Sequence, residues 1–297
     1  PRLPLYRLEA KNKNTSNICS FFLEKSLRLA KYVALVFPKF LLNTPEFSTT
    51  RAELAQKSVD AILDFGEKGF PGILVETIAI FINNLATPAN TKVFSLTHRL
   101  HLTQPQAYIF DPELPYWIIY RNQLFDSVCR KLDFDVFEVF RDRQLTNKLL
   151  SSSGELRVLK SRNLSDDGKE ILDIPGYDSY ISYAAAKPLS VFQYLDAPNV
   201  YLTPNMTYKP RMMKKPPHCV VNGSLAILIP KGGIVPTEKQ LAYFSSEEYR
   251  AFYQIARNFQ TRSLNVDACS VFFYGLLRDE AKPAPEKFDT SVQLSFL

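Results

Sequence analysis

The sequence predicts an α/β fold. A mainly parallel sheet with helical crossovers closes on a β-hairpin, and a mixed α+β region follows. Three observations carry this. Short all-apolar runs alternate with helical patterns over the first third of the chain. Two further strand-like runs, Val59–Phe65 and Ile73–Ile82, flank the turn Gly66–Glu67–Lys68–Gly69. Beyond residue 100 that order gives way to aromatic, Pro-containing and basic stretches with shorter strand patterns.

Each element has its own signal. Thr15 or Ser16 is placed to cap a first helix, in which Ile18, Phe21, Phe22 and Leu29 recur at helical spacing. Val33–Phe37, ended by Pro38, has the pattern of a strand buried on both faces. Thr50-x-x-Glu53 reads as a capping box opening a second helix toward Lys57. Val59–Phe65 and Ile73–Ile82 read as the two hairpin strands, the second rich in β-branched residues. Helical crossovers suit a parallel arrangement, and the hairpin puts one antiparallel strand into it. The polar stretch from Asn83 to Pro105 reads as the passage out of the sheet. Farther on, Tyr116–Tyr120 reads as a strand and Asn122–Phe140 as a helix. Glu155–Lys160, Val200–Thr203 and Ser224–Ile229 read as strands. Ser245 or Ser246 is placed to cap a last helix, on which Arg250 and Arg257 share an outward face.

The chain has 297 residues and is 46% hydrophobic, with 22 Phe and 15 Tyr, so it buries a proper core. It shows no signal peptide and no apolar run of the roughly 20 residues that cross a bilayer. Its four cysteines lie far apart, and its histidines are only His98, His101 and His218. This usage argues against a structural zinc site and fits the reduced thiols of a cytoplasmic protein. Two carboxylates of the hairpin strands, Asp64 and Glu76, lack the Glu-x-Lys spacing of a nuclease, because Ile78 stands two beyond Glu76. His98-Arg99-Leu100-His101 suggests a metal or phosphate site but has no companion ligands, and it reads as solvated surface or a linker contact.

Charge is uneven. Between Tyr201 and Arg262 there are nine Lys or Arg against three Asp or Glu, a surplus of six that equals the formal charge of the whole chain. The run Asn199–Lys215 interleaves aromatic rings, hydrogen-bonding side chains and cations with no acidic residue. Such a local surplus in an otherwise balanced chain is the footprint of a polyanion. Lys209, Lys214, Lys215 and Lys231 suit phosphates, which give affinity without sequence information. Arg162, Asn163, Arg211, Arg257, Asn258, Arg262 and Asn265 suit base edges, Arg matching guanine and Asn adenine. Tyr208 suits stacking or a phosphate interaction. For any single Lys the plain reading is a solvated cation with no special role. Structured RNA remains an alternative polymer.

The segment Phe22–Ala30, followed by Val33–Lys39 and Arg51, resembles the middle of an amino-group DNA methyltransferase. More narrowly, the chain is similar to adenine-specific methyltransferases of type II restriction–modification systems, those of type IIS in particular. The more distinctive matching stretches are Ala256–Asn258 through Thr261–Asn265, and Ser270–Gly275. The resemblance implies the C-terminal part of a Rossmann-like methyltransferase sheet over residues 1–100. Residues 101–297 would then be an α+β target-recognition domain that binds double-stranded DNA. It further implies S-adenosylmethionine as cofactor, bound by residues upstream. Base flipping is implied too, with the exposed amine taking the methyl group and no covalent enzyme intermediate. A cognate restriction endonuclease is an implied associate. Phe70 falls where the family places an aromatic against the extruded adenine. Without the resemblance, Phe70 reads as a hairpin core residue. Gly66-x-x-Gly69 joins two strands and is no cofactor cradle. Neither the cofactor loop nor a complete Asn-Pro-Pro-aromatic motif is present, so the chain by itself is expected to be inactive. The alternative is a non-catalytic DNA-binding specificity module.

Overall fold

A computed structural model of the protein describes residues 11–70, 72, 74–260 and 265–279. These divide into two compact units. One holds residues 11–123 with 255–260, the other 124–254 with 265–279.

The first unit opens on helix α1, Ile18–Leu29, whose cap is Asn17 rather than Thr15 or Ser16. The Asn17 side chain accepts from the Cys19 amide at 3.1 Å. Phe21 and Leu23 point inward, while Ile18, Phe22 and Leu29 remain exposed. Strand β1, Tyr32–Pro38, follows. Helix α2, Ser48–Ala55, starts before the expected capping box, so Thr50 lies buried within it. Strand β2, Ser58–Gly66, and strand β3, Thr77–Asn83, form the hairpin. The residues just before Thr77 are not part of β3, which is therefore shorter than the apolar run from Ile73.

The sheet has five strands in the order β1-β3-β2-β4-β5. Strands β4, Asn90–Ser95, and β5, Leu100–Pro105, lie in the stretch read as a passage out of the sheet. Their inward positions include Thr91, Ser95 and Gln104, all buried, which hid the alternation from a count of apolar residues. Strand β3 runs antiparallel to both β1 and β2, and β4 runs parallel to β2. So β1, β2 and β4 point one way, with the hairpin's return strand inserted between the first two. As the outer strand, β1 buries Val33 and Phe37 but exposes Tyr32 and Val36, so it is covered on one face only. Ile78, Ile80 and Ile82 of β3 are buried, as a central strand requires. Tyr116–Tyr120 are all buried but form a turn-rich segment instead of a strand.

In the second unit helix α3, Gln123–Lys131, is half the expected length. It gives way to strand β6, Leu132–Asp133, and strand β7, Phe137–Phe140, with Asp135 at φ 58° between them. Strands β8, Leu156–Leu159, and β9, Ser179–Ile181, precede β10, Tyr201–Pro204. Then come β11, Met213–Lys214, β12, Cys219–Val221, and β13, Leu225–Pro230. One antiparallel sheet orders them β11-β10-β13-β7, and a second orders them β12-β8-β9. Leu156, Val158, Val221, Leu202 and Ile227 belong to one core that joins the two sheets. Helix α4, Glu247–Ala256, is capped by Ser246, whose Oγ accepts from the Tyr249 amide at 3.1 Å. Strand β14, Leu276–Leu277, pairs with β6. No helix among the described residues is long and apolar enough to cross a membrane.

Candidate functional site

Three co-directional strands of the first unit end at one place. Lys39 follows β1, Gly66 ends β2, and Thr97 and His98 follow β4. These residues, with Glu67, Lys68, Phe70, Glu76 and Phe259, line a cavity of about 500 Å³. In open α/β sheets, ligands collect outside the carboxyl ends of the strands, and volumes of about 300–1,000 Å³ are typical of small-molecule sites.

Beneath the cavity lies a buried charged network that reaches its lining through Lys39. Lys39 and Asp64 are 1% and 0% exposed and pair at 2.6 Å. The Tyr120 hydroxyl donates to the same carboxylate oxygen, Asp64 Oδ2, at 2.5 Å. The other oxygen accepts from the Gly66 amide at 2.9 Å. A buried carboxylate is tolerated only with such partners. Burial first, and the Asp64 charge second, push the Tyr120 phenol well above its ordinary value, so it stays a donor.

The same network shapes the turn above it. Gly66 has φ 55°, and a Cβ there would meet Thr97 Cγ2 at 2.5 Å. A Cβ on Gly69 would meet Thr77 Oγ1 at 2.2 Å. The two glycines thus let the turn fold tightly and carry Phe70 to the rim, where its ring is exposed. The turn joins antiparallel strands, the hairpin that its sequence implies.

His98 sits across the cavity on the β4–β5 turn. It is an exposed residue, yet its ring stands 4.5 Å from that of Phe259 and 6.3 Å from that of Tyr120. Partial burial and the Lys39 ammonium lower its pKa, with Asp64 opposing, which keeps the imidazole neutral near pH 7. The sequence reading of His98 as solvated surface or a linker contact does not foresee this cavity, and Phe259 is not singled out by it. Neither residue carries a local signal, because the cavity is assembled from segments more than 150 residues apart.

The expected DNA-binding residues divide by burial. Arg162 is exposed, its guanidinium 4.7 Å from the Tyr177 ring centre. Tyr208 and Lys214 are exposed, and so is Lys209, which pairs with Asp166 at 2.7 Å. Asn265 is half-buried and accepts from Asn205 at 2.8 Å. The others are internal. Asn163 is fully buried, donating to Leu172 O and Asp178 Oδ1. Arg211 is clamped by the carbonyls of Lys209, Ser161 and Leu164, and Lys215 by those of Leu195 and Pro216. Burial lowers the pKa of both. Arg257, expected on an outward helix face, is 3% exposed. Asn258 is 0% exposed and belongs to the first unit, where it donates to Trp117 O at 2.7 Å and accepts from Ile119 N at 2.9 Å. As placed, Asn163, Arg211, Lys215, Arg257 and Asn258 are all buried, and all but Arg257 are bonded within the fold as described. Arg262 lies outside the described residues.

No family model matches the sequence, and no curated protein does. Among solved structures, one likeness is to the Type IIL restriction-modification enzyme MmeI, solved in complex with DNA. It has a TM-score of 0.49 at 9% identity and covers 90% of this chain and 42% of that one. A second is to the type IIG restriction endonuclease BpuSI, with a TM-score of 0.35 at 10% identity, covering 87% and 41%. The chain spans about two fifths of the length of each of these enzymes.

Proposed function

We propose that the protein is part of an adenine-specific DNA methyltransferase of a restriction–modification system. In this reading the first unit completes the catalytic sheet and the second selects the DNA site. The observation that carries it is the cavity at the carboxyl ends of β1, β2 and β4, with Phe70 on its rim. Chemistry on an exocyclic amine requires the base to leave the stack, and an aromatic ring at a pocket mouth is the means of holding it there. Two further features support the reading. Strand β1 is an outer strand, and the α1 side chains Ile18, Phe22 and Leu29 are exposed, so the sheet has room to continue. The second unit keeps Arg162, Tyr208, Lys209 and Lys214 at its surface, an assortment suited to phosphates and base edges.

S-adenosylmethionine supplies the methyl group in this proposal. In this reading its binding falls to polypeptide outside the described residues, as the resemblance implies. This chain's part is to receive the extruded base and to hold the duplex.

The test is transfer of a labelled methyl group to DNA by the full-length protein. Incorporation that falls at least tenfold in Phe70→Ala, with paired-duplex binding retained, supports the proposal. Tight, salt-sensitive DNA binding with no incorporation and no cofactor binding supports a specificity module instead.

A further inference from the structure

Phe259 has a backbone that its side chain does not favour. Asn258 and Phe259 have φ of 51° and 54°, two successive left-handed residues just after the end of α4. Asn visits this region readily, but a bulky aromatic does so rarely, and such strain persists only where the surroundings enforce it. Here they do. The Asn258 side chain is bonded at both ends to the main chain of the segment 117–119, and the neighbouring Gln260 donates to Asn43. The outcome is a half-buried ring that lines the cavity, against His98 and 5.1 Å from Tyr120.

Packing alone does not call for this arrangement, because an aliphatic side chain on ordinary backbone fills a core equally well. The cavity has a second aromatic, Phe70, that arrives from the hairpin turn. Its remaining ring, the His98 imidazole, offers one donor and one acceptor when neutral. Its charged floor is already internally paired. Glu67, Lys68 and Glu76 are also in the lining. Two aromatic walls facing a neutral hydrogen-bonding edge over a paired floor are matched to a flat heteroaromatic ring.

We propose that Phe259 is a stacking wall for an extrahelical nucleobase, held in place by Asn258, with His98 at the base's polar edge. This rests on the DNA-methyltransferase reading and deepens it by naming the base-binding residues that the hairpin does not supply.

The experiment compares two duplexes that differ at one position, an adenine opposite thymine and the same adenine opposite an abasic site. The second spares the protein the cost of unpairing. Full-length wild-type protein is expected to bind the orphan-base duplex about tenfold or more tightly. Phe259→Leu keeps the volume without a π face. It is expected to lose about fivefold or more of that advantage, the weaker end of one base–aromatic stack, while paired-duplex binding stays within about twofold. Phe259→Tyr is expected to retain the advantage. An undiminished advantage in folded Phe259→Leu overturns the inference, as does equal wild-type affinity for the two duplexes. No DNA binding by the wild type overturns the underlying reading instead.

A second measurement avoids variants. An orphan 5-iodouracil is photocrosslinked to wild-type protein and the site is mapped. Crosslinking to the tryptic peptide 258–262 supports the assignment. Crosslinks confined to other peptides, or none in a complex shown to form, contradict it.

Discussion

Lys39→Met removes one member of the buried network beneath the cavity. It leaves Asp64, itself 0% exposed, with only the Tyr120 hydroxyl and the Gly66 amide as partners. Breaking a buried pair from one side costs about 3–5 kcal/mol, because the remaining charge is stranded away from water. For a unit of this size that is a fall in melting temperature of roughly 6–20 °C. Trp117, the only tryptophan in the chain, is buried in the same unit and stacks on Phe110 at 3.6 Å. Its fluorescence during urea or thermal unfolding therefore reports that unit in particular. Adding Asp64→Asn removes the stranded charge while keeping an acceptor, so the double variant should recover about half the loss or more. The reasoning is refuted if Lys39→Met lies within about 1 kcal/mol of wild type, the range of an exposed pair, or if the double variant is less stable than the single.

Other expectations follow from the same geometry. The Tyr120 phenol ionises above its ordinary value of 10.0. Its folded pKa is the raised one, so its contribution is intact below pH 10 and is lost as pH rises beyond it. Tyr120→Phe should therefore flatten the alkaline decline in stability, checked by melts from about pH 8 to 11. Asn258→Ala orphans a buried carbonyl and amide and should cost about 2 kcal/mol or more by chemical denaturation. In salt titrations of DNA binding, Arg162→Ala and Lys214→Ala should each lower the slope of log affinity against log salt by roughly 0.9 for every phosphate the side chain neutralises. Arg211→Ala should instead lower stability, through the three carbonyls it now satisfies. A histidine-resolved NMR titration should place His98 below the ordinary imidazole value of 6.5.

What the sequence disclosed depends on how each element gets its stability. Strands β1 and β13 are continuous apolar runs and were legible, and β2 and β10 are apolar enough to be read despite Asp60, Asp64 and Thr203. Strand β4 turns Thr91 and Ser95 inward beside Val93, so polar residues take the place of apolar ones and the period was obscured. The helix expected over 122–140 overran because Leu132 and Val136 continue an apolar pattern past Lys131, although they lie in and beside short strands. The hairpin turn was readable from two glycines, whereas Phe70, which reads as a core residue without the resemblance, is exposed. The charged floor was not readable, since Lys39, Asp64 and Tyr120 are brought together across 25 and 56 residues of chain. Composition also misassigned Asn163, Arg211 and Lys215. Polar side chains look superficial in a sequence, and nothing local shows that main-chain carbonyls will enclose them.

The central claim is that this protein presents an adenine for methylation in the cavity rimmed by Phe70. It is tested most directly by base-resolved mapping of genomic DNA treated with the full-length protein and S-adenosylmethionine. The account predicts N6-methyladenine at one short sequence, lost or much reduced with Phe70→Ala. Methylation of cytosine alone, or unmodified DNA from a folded, cofactor-binding preparation, would contradict it.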